Sequence, residues 1–377
     1  MDASPNQALV GTDGSRLELS TPALVIDMAT FKANLRSGQD IISNNGIGLR
    51  PPIRTHRSLA VAKLQMKTGA KGICCETVAE AEVLADGGIA KITLTRPPAD
   101  PAEIERLAQL NTHLEELMVV VDDLETVKAL QEAARQVSKK FRLLIDVDID
   151  GKGSGIANIE DGVAMARFIA EAPELRFFGL QAVSRRVQHI AKSSERRQAS
   201  HAQLAFLKAL KKAIKDEKMP VRVTTGSGTG SHLIDMEAAV YNDIQLATYC
   251  FMDGLHQGVH IKLWGQVPYH PALFVYSRVL GNHEEGYVTL DAGSKSLPSE
   301  GPLPTVVSGA PDGSRYEPLS EEFGKLILPE GVEGPVPGSL VVLQAPDCAA
   351  TVQLYDSFHC VRDDKLAAIW PITVKAT

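Results

Sequence analysis

A short cationic segment near the start of the chain, RPPIRTHRS at residues 50–58, combines residue types that bind anions and move protons. Arg54 and His56 are two positions apart, so on an extended strand end both side chains would project to the same side. A guanidinium suits carboxylates and phosphates, and an imidazole beside arginines can act as a general acid or base with a lowered pKa. The segment therefore predicts Arg54 and His56 as catalytic residues, whereas a structural role for His56 is the alternative.

A second motif, TTGSGTGS at residues 224–231, is rich in glycine and in hydroxyl side chains. Glycines let backbone amides approach an anion closely, and the hydroxyls of Ser227, Thr229 and Ser231 can donate further hydrogen bonds. The motif follows a strand-like run and precedes SHLIDMEAAV, which can open as a helix. It predicts an anion-binding turn, and an ordinary polar loop is the alternative.

The elements that must position these motifs alternate from about residue 22 to 250. Apolar strand-like runs such as ALVID, KITLT, LMVVVD and RLLIDVD are separated by amphipathic stretches such as TVAEAEVLADGG and LETVKALQEAARQ. Because each parallel crossover needs a helix, seven or eight such units predict an α/β fold, a (β/α)8 TIM-like barrel at residues 22–258. An open doubly wound sheet is the alternative.

After about residue 260 the helical periodicity gives way to short β runs between Gly, Pro and Asp turns. These runs predict a β-rich domain made of residues 1–21 and 259–377. In a barrel, the working residues lie where strands end, which would bring several segments to one face together with Arg54. These segments are TRPP (95–98), DIDGKGSG (148–155), VSRRVQH (183–189) and the glycine motif.

The composition is that of a soluble globular protein, with 44% hydrophobic and 23% charged residues in 377 and a net charge of -7. No apolar run approaches the roughly 18 residues of a membrane helix, and the first residues lack a secretory signal, so a cytoplasmic location is expected. No basic stripe is present, so neither nucleic acid nor a membrane is expected as a partner. The five cysteines are sparse and form no CxxC pair, which favours reduced thiols.

Several motifs together resemble the D-threonine aldolase and D-serine dehydratase family. They are STPALVIDMATFKANL, GAKGICCETVAEAEVLADGGI, TTGSGTGS, YNDIQLATYCFMDG and TVQLYD, and they span nearly the whole chain. The resemblance implies a pyridoxal-phosphate enzyme of fold type III, with an alanine-racemase-like barrel, a C-terminal β domain and a homodimeric assembly. It also implies that Tyr249 lines the cofactor and that a phosphate cradle is formed by Gly226, Ser227, Gly228 and Thr229.

One departure from the family falls in the cationic segment. The family reads roughly R-P-H-x-K-T-H where this chain reads RPPIRTH, so Arg54 occupies the position of the Schiff-base lysine and Pro52 that of a histidine. A lysine can condense with an aldehyde, but a guanidinium stays charged and forms no normal internal aldimine. The sequence therefore allows pyridoxal phosphate through the glycine motif but argues against its ordinary covalent attachment.

Another departure falls near the C-terminus, where the family's metal site resembles G-H-C-D-P-T-V-N-L-Y-D and this chain reads PDCAATVQLYD. Asp347 replaces the histidine and Ala349 replaces the aspartate, which leaves Asp347 and Cys348 as donors. One carboxylate and one thiol make a poor zinc site, and an oxygen-preferring ion would want more carboxylates. Asp347 is thus a weak metal-ligand candidate, and the sequence argues against a bound divalent metal.

Further departures add positive charge to the predicted active-site loops. Arg96 follows Thr95 where the family commonly has T-N-E, and Arg185 lies where the family has Q-A-Y-x-G. His189 matches the family's Q-H and is a substrate-contact candidate. With Arg54, these residues predict a cationic pocket for a small anionic substrate. The alternative is that the arginines pair with acids of LLIDVDID, namely Asp146, Asp148 and Asp150.

These observations support three hypotheses about function. The first is a divergent lyase that cleaves or dehydrates a small anionic β-hydroxy acid or carbonyl compound without an internal aldimine, with His56 or Asp347 taking the hydroxyl proton and Arg54 stabilising charge. The second is a conventional pyridoxal-phosphate- and metal-dependent D-β-hydroxy amino acid aldolase or dehydratase whose lysine has been replaced. The third is a non-catalytic protein that binds pyridoxal phosphate or a phosphorylated metabolite.

Overall fold

The chain folds around two sheets, and a computed structural model describes residues 4–151, 153–283 and 286–374. Within these ranges the strands are β1 (Ala23–Asp27), β2 (Gly48–Leu49), β3 (Ile73–Cys75), β4 (Lys91–Leu94), β5 (Glu116–Val121), β6 (Phe141–Asp146), β7 (Leu175–Ala182), β8 (Val223–Gly226), β9 (Asp243–Ile244), β10 (Leu273–His283), β11 (Tyr287–Leu290), β12 (Thr305–Ser308), β13 (Arg315–Pro318), β14 (Gly324–Ile327), β15 (Leu340–Gln344), β16 (Ser357–Arg362) and β17 (Lys365–Pro371). The α-helices are α1 (Met28–Asn44), α2 (Leu59–Thr68), α3 (Val78–Asp86), α4 (Pro101–His113), α5 (Leu124–Val137), α6 (Ile159–Glu171), α7 (Ser193–Asp216), α8 (His232–Glu237), α9 (Gly254–Gln257) and α10 (Cys348–Val352). Short 3-10 helices cover Gln7–Leu9, Ser15–Leu17, Ile53–Thr55, Val187–His189 and Thr248–Cys250.

The first sheet is the predicted barrel. Its eight strands run in parallel in the order β2-β9-β8-β7-β6-β5-β4-β3. A parallel bridge between Pro52 and Cys74 connects the segment after β2 to β3, so the two ends of the strand order meet. The (β/α)8 TIM-like barrel expected from the alternating pattern is confirmed.

Local sequence signals set the barrel helices. Helix α3 begins at a capping box, in which the Thr77 side chain accepts from the Glu80 amide and the Glu80 carboxylate accepts from the Thr77 amide. Helix α5 begins at Asp123, whose carboxylate accepts from the Thr126 amide at 2.8 Å. Its buried residues Val127, Leu130, Ala133 and Ala134 recur at helical spacing, so one face of the helix packs on the barrel.

The second sheet corrects one predicted boundary. Strand β1, which the sequence pattern placed at the start of the barrel, pairs antiparallel with β10 and parallel with β16 and so belongs to the C-terminal sheet. Its apolar residues ALVI are almost fully buried, and periodicity alone does not distinguish a barrel strand from a central strand of another sheet. Residues 4–21 also contact this sheet, since the Gly11 amide donates to the Leu366 carbonyl at 2.8 Å.

A buried ion-pair network fills the barrel end where the strands begin. Arg50, only 5% exposed, donates from Nε to Asp243 at 3.2 Å and from Nη2 to Glu116 at 3.1 Å. Glu116 also accepts from Arg142 at 2.9 Å. Buried charges persist only when they are paired, so Arg50, the first arginine of the cationic segment, is a structural residue.

The described residues include no helix both long and apolar enough to cross a bilayer. All five cysteines are buried and carry free thiols.

Candidate active site

A cavity of about 440 Å³ opens at the barrel face where the strands end. This volume suits a small ligand. Its described lining comes from the loops after β2, β3, β4, β6, β7, β8 and β9: Pro52, Arg54, Glu76, Thr95, Arg96, Pro97, Asp146, Val147, Asp148, Ile149, Asp150, Gly153, Ser154, Gln181, Val183, Arg185, Arg186, Gln188, Ser227, Gly228, Gln245 and Ala247. The structure thus brings together the strand-end loops that the sequence placed on one face.

The arginines of the cavity differ in their partners. Arg54 forms an ion pair with Glu76 at 3.4 Å, and Arg96 pairs with Glu103 at 3.0 Å. The guanidinium groups of Arg185 and Arg186 form no ion pair within the described part of the chain, although both residues line the cavity. Their charges are therefore available to a ligand.

The acids of LLIDVDID do not neutralise these arginines in the described ranges. Asp148 instead accepts from the amides of residues 150, 151 and 153 and shapes its own loop. Asp150 accepts from Ser184 Oγ at 2.8 Å and from the Arg185 amide at 2.9 Å, which fixes the loop that carries Arg185. Asp148 and Asp150 therefore hold the loops of the cavity in place and do not pair with the arginine side chains that line it.

Asp146 is a candidate acid or base that the sequence reasoning treated only as a counter-ion. It ends β6, lines the cavity and accepts from Gln181 Nε2 at 3.1 Å and from Ser154 Oγ at 3.2 Å. Burial raises the pKa of Asp146 from 3.8 to about 6, and the two hydrogen bonds oppose that change. A carboxyl group in this range can both take and return a proton near neutral pH. Its signal in the sequence was its place as the first acid after an apolar strand, in the run LLIDVDID.

His56 does not face the cavity, contrary to the prediction. Residues Ile53–Thr55 form a 3-10 turn rather than an extended strand end, so Arg54 and His56 point in different directions. The His56 side chain is fully buried, lies 3.2 Å from Gln65 Oε1 and accepts from the Ser58 amide at 3.2 Å. Burial lowers the pKa of His56 to about 4, which identifies a neutral structural histidine.

The glycine motif forms a tight turn at the end of β8. A Cβ atom at Gly226, where φ is +151°, would lie 1.7 Å from the Ala182 carbonyl oxygen, and one at Gly230 would lie 1.9 Å from the Gln188 carbonyl oxygen. Only glycine fits such contacts. The amides of residues 228–230 donate no hydrogen bond within the described chain. Ser227 and Gly228 line the cavity, so this turn offers the unpaired Gly228 amide to an anion, whereas Gly226 and Thr229 are not among the described lining residues.

The hydroxyls of the turn have a different role from the predicted one. Ser227 and Ser231 donate to the same oxygen of Asp235 at 2.6 and 2.7 Å, and Ser200 donates to its other oxygen at 2.5 Å. Thr229 Oγ1 accepts from the Thr248 amide at 3.0 Å. Asp235 is only 5% exposed, so its carboxylate anchors the turn from behind, and the serine hydroxyls serve the fold rather than a ligand.

Tyr249 also lies away from the cavity. Its ring is 1% exposed, packs edge-on against Tyr269 with ring centroids 5.9 Å apart, and lies over Gly38 of α1. The 3-10 helix at Thr248–Cys250 turns this side chain into the core. Gln245 and Ala247 are the residues of this stretch that line the cavity.

The C-terminal candidate Asp347 caps helix α10, where it accepts from the Ala350 amide at 3.0 Å, and it is not among the cavity-lining residues. The ring of His189 is tilted by 59° against that of His256, with centroids 5.2 Å apart, and partial burial lowers the pKa of His189. In the described part of the chain no group of three or more His, Cys, Asp or Glu side chains is arranged to hold a metal ion. The geometry gives Asp347 a capping role, and a substrate contact by His189 stays a prediction.

Pyridoxal phosphate needs an anion site for its phosphate and a lysine amine for its aldehyde. The free amides of the glycine turn fit the first requirement. No lysine among the described lining residues meets the second requirement, and a guanidinium such as that of Arg54 forms no normal imine. The described residues fit the phosphate group but not a covalently attached cofactor.

The barrel, the glycine turn and the C-terminal sheet define an alanine-racemase-like protein. Residues 26–245 match the family model for the alanine racemase N-terminal domain, and residues 272–361 match the model for a putative serine dehydratase domain. The chain belongs to the alanine racemase N-terminal domain family, and the resemblance inferred from its motifs is confirmed.

Two relatives and one solved structure are similar to this chain over nearly its whole length. The chain is 30% identical to the 3-hydroxy-D-aspartate aldolase of Paracoccus denitrificans strain Pd 1222, over 98% of this chain and 95% of that protein. It is also 30% identical to the D-threonine aldolase of an Arthrobacter species, over 99% and 97%. The crystal structure of D-threonine aldolase from Filomicrobium marinum superposes with a TM-score of 0.89 at 29% identity, covering 95% of this chain and 96% of that one. The predicted membership in a lyase family is confirmed.

Proposed function

We propose that the protein is a divergent lyase of this family that cleaves or dehydrates a small anionic β-hydroxy acid or carbonyl compound without an internal aldimine. The observation that carries this proposal is the pairing of Asp146 with unpaired arginines in one cavity that has no lysine among its described lining residues. Aldolase relatives support a bond cleavage of the retro-aldol type.

The arginines bind the substrate in this proposal. Arg185 and Arg186 offer planar guanidinium groups that bind a carboxylate through paired hydrogen bonds, which is stronger and more directional than a point charge. Arg54 and Arg96 are each paired with a glutamate, so among the described lining residues Arg185 and Arg186 are the arginines left to bind the substrate carboxylate. An anionic substrate would therefore be held by its carboxylate at the side of the cavity formed by the loop after β7.

Asp146 moves the proton. Its carboxylate is held by Gln181 and Ser154 and faces the cavity, so it can take the proton of a substrate hydroxyl and return it later. This role replaces the one predicted for His56 or Asp347. Charge that develops on the substrate is stabilised by the positive guanidinium groups that bind it.

The test begins with the purified protein. We expect no visible absorption band and no change on borohydride reduction, because Arg54 occupies the position where the family resemblance places the Schiff-base lysine, and a guanidinium forms no normal aldimine. A screen of β-hydroxy acids for aldehyde release should then identify turnover that Asp146→Asn abolishes. A visible band that disappears with borohydride would instead favour the conventional aldolase or dehydratase.

The glycine turn favours one further candidate, a protein that binds pyridoxal phosphate or a phosphorylated metabolite without catalysis. Its amides at residues 228–230 have no acceptor in the described chain. Calorimetry with pyridoxal phosphate and with inorganic phosphate measures this binding. Binding without turnover of any anionic hydroxy acid would favour the binder over the lyase.

A further inference from the structure

We propose that the substrate supplies its own electron sink, so that the cleaved bond lies next to a ketone in a 4-hydroxy-2-oxo acid. This inference rests on the proposed function and names the substrate class for the same cavity. It differs from 3-hydroxy-D-aspartate and D-threonine, for which two relatives are named, because Arg54 stands in this cavity where the family resemblance places a lysine.

Retro-aldol cleavage requires a group that accepts the electron pair of the broken bond. Retro-aldol cleavage leaves two electrons on the carbon next to the acid, and a carboxylate alone delocalises them poorly. An amino acid needs an imine to a carbonyl cofactor to accept them. Among the described lining residues there is no lysine, and Arg54 cannot form an imine. A ketone within the substrate performs the same task directly.

The unpaired arginines of the cavity suit the oxygens of a 2-oxo acid. A 2-oxo acid presents a carboxylate and a neighbouring ketone oxygen, and that oxygen becomes negative when the carbon–carbon bond breaks. The unpaired guanidinium groups of Arg185 and Arg186 suit such adjacent oxygens, because each carries several N–H donors in a plane. Guanidinium donors that contact this oxygen stabilise the transition state more than the bound substrate, because the oxygen is more negative in the transition state.

Asp146 can carry out both proton transfers of this cleavage. The Asp146 carboxylate takes the proton of the 4-hydroxyl, the bond between carbons 3 and 4 breaks, and carbon 4 leaves as an aldehyde. The released pair forms the double bond between carbons 2 and 3, and the ketone oxygen becomes an enolate. Asp146 then returns its proton to carbon 3, which gives a 2-oxo acid. No oxidant or reductant is consumed.

The experiment uses two probes and the full-length protein. Pyruvate in D2O tests enolate formation alone, since we expect its methyl proton signal to disappear in NMR as deuterium exchanges in. Racemic 4-hydroxy-2-oxopentanoate tests cleavage through the release of acetaldehyde. D-Threonine with added pyridoxal phosphate is the matched amino acid and should release far less acetaldehyde.

The variants separate the roles of the side chains. Asp146→Asn should slow both exchange and cleavage about 100-fold or more, because it removes the general base. The double variant Arg185→Ala and Arg186→Ala should raise KM about 10- to 100-fold, because it removes the groups that bind the substrate. This measurement tests the proposal even if Asp146→Asn fails to fold. Arg167→Ala is the control, since Arg167 pairs with Glu217 on the surface and does not line the cavity.

Each result bears on a definite statement. Cleavage of D-threonine without exchange or cleavage of the oxo acids would overturn the substrate class but leave the lyase standing. No turnover of either substrate and no exchange would overturn both. Inactivation by borohydride only in the presence of pyruvate, with a mass increase on a lysine, would show that an amine of the protein is the sink and would also overturn the inference.

Discussion

At the scale of single residues, two side chains of the cavity define the chemistry. Arg54 keeps a permanent positive charge where the family resemblance places a lysine amine, and it is paired with Glu76. Asp146 is a carboxyl group whose ionisation falls near neutral pH because it is buried. The site therefore combines fixed positive charge with one group that exchanges protons.

The first prediction concerns pH and activity. Asp146 acts as a base only when ionised, and burial raises its pKa to about 6. We expect kcat to fall as the pH decreases through about 6 and to level off above it. A pH profile of aldehyde release measures this, and a profile that is flat between about pH 5 and 7 would assign the base to another group.

The same residue predicts a gain in stability. Its pKa is 3.8 in the unfolded chain and about 6 in the folded one, so the folded state holds the proton more tightly and the ionised carboxylate costs stability above that range. We expect Asp146→Asn to raise the free energy of unfolding by about 1–3 kcal/mol at pH 8 and not at pH 4. Urea denaturation at both pH values measures the difference, and an equal effect at both would contradict the electrostatic cause.

Arg54 gives a prediction that a spectrum can test. We expect Arg54→Lys to produce a visible absorption band after pyridoxal phosphate is added, because the amides of the glycine turn remain available to the phosphate. Borohydride should then fix the cofactor on residue 54, as peptide mass analysis would show. A variant that folds but shows no band would mean that the cavity has diverged beyond this one residue.

At the scale of elements, the glycine turn after β8 depends on a carboxylate behind it. Asp235 of α8 accepts from Ser200, Ser227 and Ser231, which come from α7 and from the turn itself. Three short hydrogen bonds compensate the burial of its charge, although burial still raises the pKa of Asp235. The position of the free amides is therefore set by one residue that contacts no ligand.

We expect Asp235→Asn to lower the free energy of unfolding by about 1–3 kcal/mol, because an amide has one acceptor oxygen where the carboxylate has two. Urea denaturation measures the change. Asp216→Asn is the matched control, since Asp216 is exposed and forms a surface ion pair with Lys212 at the end of α7. Equal midpoints for Asp235→Asn and the control would show that the turn does not depend on this anchor.

At the scale of the whole molecule, the two ends of the barrel have separate tasks. The end where the strands finish holds the cavity, and the end where they begin holds the network of Arg50, Glu116, Asp243 and Arg142. The nine-stranded sheet takes in β1 and so ties the N-terminal segment to the C-terminal domain. Reactive and stabilising charges are thereby kept apart.

We expect Arg50→Met to destabilise the protein by about 3 kcal/mol, because it leaves the buried Asp243 without its cation and Glu116 with Arg142 alone. The control Arg106→Met removes an exposed ion pair with Glu82 and should leave the urea midpoint unchanged. Similar midpoints for the two variants would mean that water or other groups compensate the buried carboxylates.

The sequence by itself determined the barrel, the C-terminal sheet and the loops that form the cavity. These features follow from periodicity and chain order, because parallel strands separated by helices all end on the same face. Chain order alone therefore places Arg54, Arg96 and Arg185 in one cavity, and the structure agrees.

Only the tertiary structure decided which side chains face that cavity and what charge they carry. The 3-10 turn at Ile53–Thr55 buries His56, the one at Thr248–Cys250 buries Tyr249, and pairing with β10 removes β1 from the barrel. The proton affinity of Asp146 likewise depends on burial by residues distant in sequence. The direction of a side chain, its hydrogen-bond partners and its burial depend on residues distant in sequence. A local sequence pattern therefore predicts where a loop lies but not which way its side chains point.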